Sequence, residues 1–222
     1  MSNSPLVTYT CLSPNCNKPR NHKIDTITIH HMAGNLSVQT CGSLFAKPSR
    51  KASSNYGVNH KEVGLYVDEA NRSWCSSNGT NDNRAITIET ANDSGAPDWH
   101  IADDTMDTLI KLVTDICKRN CIEKLIWSDN KNDRINHVNG CNMTIHSDFA
   151  ATACPGPYLK SKMAYIAQKV NEGLFNLNNE GDDHIRYNVQ IGSYKLKANA
   201  EAQLQKAKNA GFTDAFIKEV NI

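Results

Sequence analysis

Two side chains that commonly bind metal ions, His146 and Cys154, lie eight positions apart on one segment that ends in Pro155-Gly156. A catalytic zinc ion typically has three protein ligands from histidine, cysteine or carboxylate and keeps a fourth position open for water. The segment supplies two candidate ligands, so a third would come from elsewhere in the chain. On spacing alone, a core thiol and a surface histidine remain the alternative interpretation.

His30 is the candidate for the third ligand. Residues 25–31 read DTITIHH and alternate polar with β-branched side chains, which predicts a strand. Because side chains alternate across a strand, His30 shares the polar face with Thr28, whereas His31 lies on the apolar face. The two adjacent histidines therefore cannot both point into one site, and His31 is expected to be a buried, neutral side chain.

The remaining pattern predicts helices and further strands around this strand. We expect a helix over residues 37–47, strands over 56–58, 64–67 and 84–89, a helix that begins near Asp103, and a last core helix that Pro157 opens and Gly173 ends. The helix after Asp103 is predicted from an apolar stripe at helical spacing, formed by Met106, Leu109, Ile110, Val113, Ile116 and Cys117.

Four motifs stand in a specific order: Ile29-His30-His31-Met32-Ala33-Gly34, Ser53-Ser54-Asn55-Tyr56-Gly57-Val58, Ile86-Thr87-Ile88-Glu89, and His146-x7-Cys154-Pro155-Gly156. This order resembles the type-2 N-acetylmuramoyl-L-alanine amidase family, which includes phage endolysins and peptidoglycan recognition proteins, over about residues 20–170. The resemblance implies an α/β fold with a mixed central β-sheet flanked by helices. It also implies hydrolysis of the amide bond between N-acetylmuramic acid and L-alanine in peptidoglycan.

The resemblance further implies roles for individual residues. It implies a Zn²⁺ ion held by His30, His146 and Cys154, with Tyr56 near the metal and Glu89 on a strand. We expect Glu89 to act as general base and proton donor, and Tyr56 and Thr152 to donate hydrogen bonds to the oxyanion. Some family members have Lys at the position of Thr152, so this chain lacks that cation. Two other classes stay open: a cysteine hydrolase that uses Cys154 and His146, and a non-catalytic peptidoglycan-binding protein.

Composition disfavours several functions. Twenty-four Lys and Arg against twenty-three Asp and Glu give a net charge of +1, which predicts no binding to nucleic acid. No segment has the apolar length of a signal peptide or a membrane span, so we expect synthesis in the cytoplasm, no stable membrane association, and action on the wall after release. Such a chain resembles a phage endolysin, with a host autolysin as the alternative.

The eight cysteines have irregular spacing, and most are expected to be small buried hydrophobic residues. Cys11 and Cys16, with His22 nearby, are a second candidate metal site, but this pattern lacks a fourth ligand, and thiols in a surface loop or in the core are the alternative.

The C-terminal part differs in character. We predict a catalytic domain over residues 1–173, a linker over 174–184, and a β-α-β module over 185–222 with a helix at about 197–210. The module resembles the start of a SPOR-type peptidoglycan-binding repeat. A complete SPOR-like domain has four strands and two helices, so we expect two copies to pair as a homodimer. Docking of the module on its own catalytic domain is the alternative. Pairing would bury the apolar residues Tyr187, Val189, Ile191, Leu204 and Ile217.

Overall fold

The computed structural model describes residues 2–179, 190–212 and 215–219. The chain divides into two compact units, residues 1–179 and residues 180–222. No described helix has the length and apolar composition that crossing a membrane requires.

The first unit is built on a six-stranded sheet with the order β1-β5-β4-β7-β3-β8. Strands β4 and β5 pair antiparallel and the other neighbours pair parallel, so the predicted mixed sheet is confirmed. Strands β2 and β6 form a separate antiparallel pair. The strands are β1 Tyr9–Thr10, β2 Cys16–Asn17, β3 Thr26–His31, β4 Tyr56–Asn59, β5 Glu62–Leu65, β6 Arg72–Ser73, β7 Ala85–Thr90 and β8 Met143–Ile145.

Helices flank this sheet, as predicted. Helix α1 packs against β4 and β5, and helices α3 and α6 pack against each other. The apolar stripe of α3 is buried except for Ile110, which is partly buried, and Leu112 joins it in the core. The helices are α1 Val38–Phe45, α2 Gly79–Arg84, α3 Asp103–Arg119, α4 Lys131–Asn136, α5 Pro157–Ser161, α6 Met163–Asn179 and α7 Lys197–Asn209.

The register of the central strands separates an apolar face from a polar one. Ile27 and Ile29 of β3 align with isoleucines of β7 and with the apolar residues of β8, and all of these are fully buried in the main core. On the opposite face Thr28 aligns with Thr87 and Thr144, and the Oγ1 atoms of Thr28 and Thr144 lie 2.8 Å apart. Packing in the core thus fixes the strand register, and this register also determines which residues align on the polar face.

The C-terminal end of the first unit differs from the prediction. Leu159, Met163, Ile166 and Val170 are buried as predicted, but two helices, α5 and α6, carry them. Helix α6 continues past Gly173 to Asn179, so the predicted helix end and the start of the predicted linker are wrong. A Cβ at Gly173 would lie 3.2 Å from Thr114 Cγ2, so this glycine permits close packing of α6 on α3. Residues 180–184 of the predicted linker lie outside the described residues.

In the second unit the predicted helix is confirmed as α7, and Gly211 after it has a positive φ of 99°. Residues 190–194 and 215–219 form no strand, which contradicts the predicted β-α-β arrangement there. Two short strands without neighbouring strands gain too little from pairing to be stable by themselves. The remaining residues of both predicted strands, including Tyr187 and Val189, lie outside the described residues.

Tyr56 belongs to the core and not to the polar face. It aligns with Ile88 of β7 and is fully buried. Its hydroxyl donates a hydrogen bond of 2.6 Å to Glu69 Oε1 and accepts one of 2.9 Å from the Ser4 backbone N–H. Arg119 pairs with the same carboxylate. The prediction that Tyr56 lies at the metal site and donates to an oxyanion is therefore wrong, because its side chain lies on the apolar face of the sheet, in the core that α3 covers.

Tyr56→Phe should lower the free energy of unfolding by about 1–3 kcal/mol, because it removes a buried donor to a carboxylate and leaves the Ser4 N–H without its acceptor. Metal affinity should not change. Denaturant unfolding and metal titration measure the two quantities, with Tyr165→Phe on the exposed side of α6 as the control. Unchanged stability together with weakened metal binding would contradict this placement of Tyr56.

Candidate metal centre

Three side chains with metal-binding atoms converge at the carboxyl ends of the central parallel strands. The donor atoms of His30, His146 and Cys154 all lie within 4.8 Å of one another. Nδ1 of His30 lies 3.5 Å from Cys154 Sγ, and the rings of His30 and His146 have centroids 4.9 Å apart. The carboxyl edge of a parallel sheet is a common place for binding sites. The structure therefore brings together the three residues that the sequence predicted as ligands.

Strand register positions the two histidines. Ile145, the last residue of β8, lies on one side of β3 in register with Ile29, so the next residue, His146, comes beside His30. The side chain of Asp148 holds the turn that follows β8: its Oδ2 accepts hydrogen bonds from the Ile145 N–H at 3.0 Å and from Arg134 Nε at 2.9 Å. The position of His146 thus depends on a buried ion pair.

Hydrogen bonds within the segment from His146 to Cys154 hold its two ends together. Ser147 N–H donates to the Cys154 carbonyl at 3.2 Å, and the Cys154 N–H donates to Thr152 Oγ1 at 3.2 Å. Thr152 is exposed on this segment, and its role as an oxyanion donor stays a prediction. These hydrogen bonds fix the position of the Cys154 thiol relative to the imidazole rings of His30 and His146.

The donor set fits a zinc ion. Zinc bonds of about 2.0–2.3 Å in a tetrahedral arrangement place donors roughly 3.3–3.8 Å apart, and the Nδ1–Sγ distance of 3.5 Å falls in this range. Ser77 Oγ lies 3.4 Å from Nε2 of His146, which leaves Nδ1 of that ring as a donor. Burial lowers the pKa of both histidines, so the imidazoles are neutral and available to a metal ion.

His31 has a different environment, as the alternation of β3 predicted. Its ring packs edge-on against Trp99 with centroids 5.1 Å apart, and its backbone N–H donates to Cys154 Sγ at 3.5 Å. A hydrogen bond of this kind to the sulfur stabilises a thiolate. His31 is thus a neighbour of the cluster and contributes no donor atom to it.

Glu89 lies beside His30 on the other side of β3. The two residues are in register, and Glu89 Oε2 is buried without a hydrogen-bond partner among the described residues. Burial raises the pKa of Glu89 to about 8. A carboxyl group with a pKa near neutrality can take up and release a proton under physiological conditions.

Cys75 was not predicted at this site. It lies between β6 and α2, and its Sγ is 4.0 Å from Glu89 Oε1. Donor atoms of His30, Cys75 and Glu89 form a second group within 4.8 Å. No periodicity or spacing in the sequence connects residue 75 with residues 30 and 89. By contrast, no such group within the described residues contains Cys11, Cys16 or His22, so that weak candidate is not supported.

A cleft of about 360 Å³ adjoins the cluster at His146 and Cys75. Lys51, Arg72 and Trp74 are among the residues that line it. The acidic residue in the lining, Asp82, is buried and accepts hydrogen bonds from the backbone of residues 75 and 76. The lining thus carries two cationic side chains and one carboxylate.

Two family models match parts of the chain. A family model described as N-acetylmuramoyl-L-alanine amidase matches residues 20–157, and one described as a SPOR domain matches residues 183–221. No curated protein matches the chain.

Three similar solved structures share the fold. PlyL is 15% identical, covers 74% of this chain and 97% of its own, and has a TM-score of 0.56. A mutant endolysin from Bacillus subtilis is 16% identical, with coverages of 74% and 99% and a TM-score of 0.55. The Staphylococcus aureus hydrolase AmiA, in complex with its ligand, is 14% identical, with coverages of 78% and 85% and a TM-score of 0.59. At these identities the likeness establishes the fold alone.

The buried carboxyl group of Glu89 should make the metal-free protein less stable as pH rises. Its folded pKa of about 8 exceeds the ordinary value of 4.5, so between these pH values the folded state keeps a proton that the unfolded state releases. Stability is therefore lost as pH rises through this window, by at most about 1.4 kcal/mol per pH unit from this group. Urea unfolding of metal-free wild type and Glu89→Gln from pH 5 to 8 isolates the contribution, since other groups are common to both. A difference in stability that stays constant with pH would contradict the assignment.

Proposed function

We propose that this chain, which belongs to the N-acetylmuramoyl-L-alanine amidase family, is a zinc-dependent enzyme that hydrolyses the amide bond between N-acetylmuramic acid and L-alanine. The observation that carries the proposal is the convergence of His30, His146 and Cys154 beside the buried carboxyl group of Glu89. Two neutral imidazoles and a thiol are a typical ligand set for catalytic zinc, with one position left for water.

Amide hydrolysis needs a nucleophile and a proton for the leaving amine. Zinc, when bound, supplies Lewis acidity that lowers the pKa of water toward about 7 and polarises a carbonyl group. Glu89 takes a proton from the attacking water at its unpartnered Oε2 and gives it to the nitrogen of L-alanine. Such transfer contributes about 10²- to 10⁴-fold to a rate. The Thr152 hydroxyl donates a hydrogen bond to the oxyanion, a role that Tyr56 cannot fill because it lies in the core.

The biological role we propose is that of a phage endolysin, made in the cytoplasm and acting on the wall after release. The SPOR-domain match supports peptidoglycan binding by the C-terminal part, and the shared fold with an endolysin agrees with this role. A host autolysin is the second candidate within the same chemistry. A binding protein without activity would have no need for a complete donor set next to a buried carboxyl group.

A chelator test on purified cell walls separates the chemical alternatives. We expect wall clearing by the full chain, release of new L-alanine amino termini, loss of both with a zinc chelator, and recovery with added zinc. A cysteine hydrolase would survive the chelator and be stopped by a thiol alkylator. A binding protein would sediment with the walls and release nothing.

Cys154→Ser and His146→Ala should each lose zinc and wall-clearing activity while keeping the fold, because a site with one ligand fewer holds zinc weakly and the core is unchanged. Metal analysis, circular dichroism and clearing rates measure the three properties. Exposed Cys121→Ser and His60→Ala are the matched controls and should retain both zinc and activity. Stoichiometric zinc with wild-type clearing in either ligand variant would refute the ligand assignment.

We also propose that the chain forms a homodimer through its C-terminal unit. The described residues of that unit expose several large apolar side chains, and soluble monomers rarely leave such a group uncovered. They are Ile191, Tyr194, Leu196, Phe212, Phe216 and Ile217.

Sedimentation analysis should give a dimer for the full chain and a monomer for a chain that ends at Asn179, the last residue of α6. The shortened chain should also bind walls more weakly than the loss of one module explains, because paired modules raise the effective concentration. A full chain that stays monomeric at micromolar concentration removes the dimer and favours docking of the unit on its own catalytic domain.

A further inference from the structure

Cys75 brings a second sulfur ligand near the candidate metal centre. Its Sγ, a carboxylate oxygen of Glu89 and a ring nitrogen of His30 lie within 4.8 Å of one another. This group shares only His30 with the first donor set, in which His146 and Cys154 take part. The His30 ring therefore belongs to both groups, which differ in their other two residues.

Two buried atoms of these residues lack partners. Nε2 of His30 and Oε2 of Glu89 are both buried, and neither has a hydrogen-bond partner in the described part of the chain. His30 as a whole is 1% exposed. Buried polar atoms without partners are costly and uncommon, so each needs an explanation. A cation bound by both atoms would satisfy them at once.

The ring geometry of His30 allows two ions. Nδ1 is the nitrogen that lies 3.5 Å from Cys154 Sγ, which leaves Nε2 for another partner. The two nitrogens of an imidazole point in different directions, so an ion at each would not compete for one lone pair. The second ion would have to displace the remaining ring proton, which makes its binding weaker than that of the first.

The ligand types select the class of cation. One nitrogen, one sulfur and one carboxylate oxygen suit a borderline-soft divalent ion such as Zn²⁺ or Cd²⁺, whereas Mg²⁺ and Ca²⁺ prefer oxygen ligands alone. Cys75 also lines the cleft that adjoins His146, so an ion has a path from solvent.

We propose that Cys75, Glu89 and His30 form a second, weaker site for a thiophilic divalent cation, and that its occupation inhibits the enzyme. On binding, the Cys75 thiol, the His30 ring and the Glu89 carboxyl group each release a proton to solvent, and they bind the ion as thiolate, imidazolate and carboxylate. The ion then holds the oxygen that would otherwise take a proton from water, so hydrolysis stops. The inhibitory half rests on the proposed function, whereas the binding half stands on the donor geometry alone.

Cadmium titration of the full chain tests the binding half. Each thiolate that binds Cd²⁺ adds a sulfur-to-metal charge-transfer band, and equilibrium dialysis counts the ions. We expect one ion with one thiolate first, then a second ion with a second thiolate. Cys75→Ser should bind the first ion as wild type does, and its affinity for the second ion should fall at least about tenfold. Exposed Cys121→Ser is the control for adventitious thiol binding and should show both steps.

Three outcomes of the titration would overturn the site. These are a single ion at saturation, a second ion that Cys75→Ser binds as well as wild type does, and two thiolate bands with the first ion, which would make Cys75 a ligand of the primary centre.

Zinc dependence of wall clearing tests the inhibitory half, with each variant's rate expressed relative to its own rate at one equivalent. Zinc in excess should inhibit wild type, and the inhibitory concentration should rise at least about tenfold in Cys75→Ser. Equal inhibition of both variants would refute inhibition through Cys75. A chain that clears no walls at any zinc concentration would refute the proposed function, while the cadmium steps would still report on the site.

Discussion

Strand β3 pairs with β7 on one side and with β8 on the other, and this pairing positions the residues of the candidate metal centre. Ile27 and Ile29 fit against apolar residues of both neighbours, and this packing sets one register for three parallel strands. A shift by one residue would turn the isoleucines out of the core and the histidine into it. The apolar face therefore determines that His30 has Glu89 on one side and His146 on the other.

The same burial that fixes the register makes the polar face chemically unusual. His30 is enclosed, and its Nε2 lacks a partner, as does Glu89 Oε2, within the described residues. Removal from water disfavours charge on both groups, which lowers the pKa of the histidine and raises that of the carboxyl group. These two buried groups at the carboxyl ends of the strands thus lower the stability of the first unit, and a bound cation would restore part of that stability.

Sequence alone could predict what local periodicity controls. Alternation along β3 assigned His30 and His31 to opposite faces, and helical spacing gave the stripe of α3. Tyr56 was misplaced because motif order places a residue on a strand without saying which face of the sheet it joins. The hydrogen bond of Tyr56 to Glu69 depends on long-range packing that no spacing reveals.

Two other features could not be predicted, because they also depend on contacts between residues that are distant in the sequence. Cys75 lies on a loop, so its approach to Glu89 depends on how β6 and α2 are placed. Gly173 resembled a helix end, yet its missing side chain serves the contact with Thr114 of a distant helix.

In the site we propose, two imidazoles and one thiolate hold one zinc ion. X-ray absorption at the zinc edge, on the full chain loaded with one equivalent, reads the ligand atoms directly. We expect a four-coordinate centre with two nitrogens and an oxygen at about 2.0–2.2 Å and a single sulfur at about 2.3 Å. A shell without sulfur, or one with two sulfurs, would contradict it.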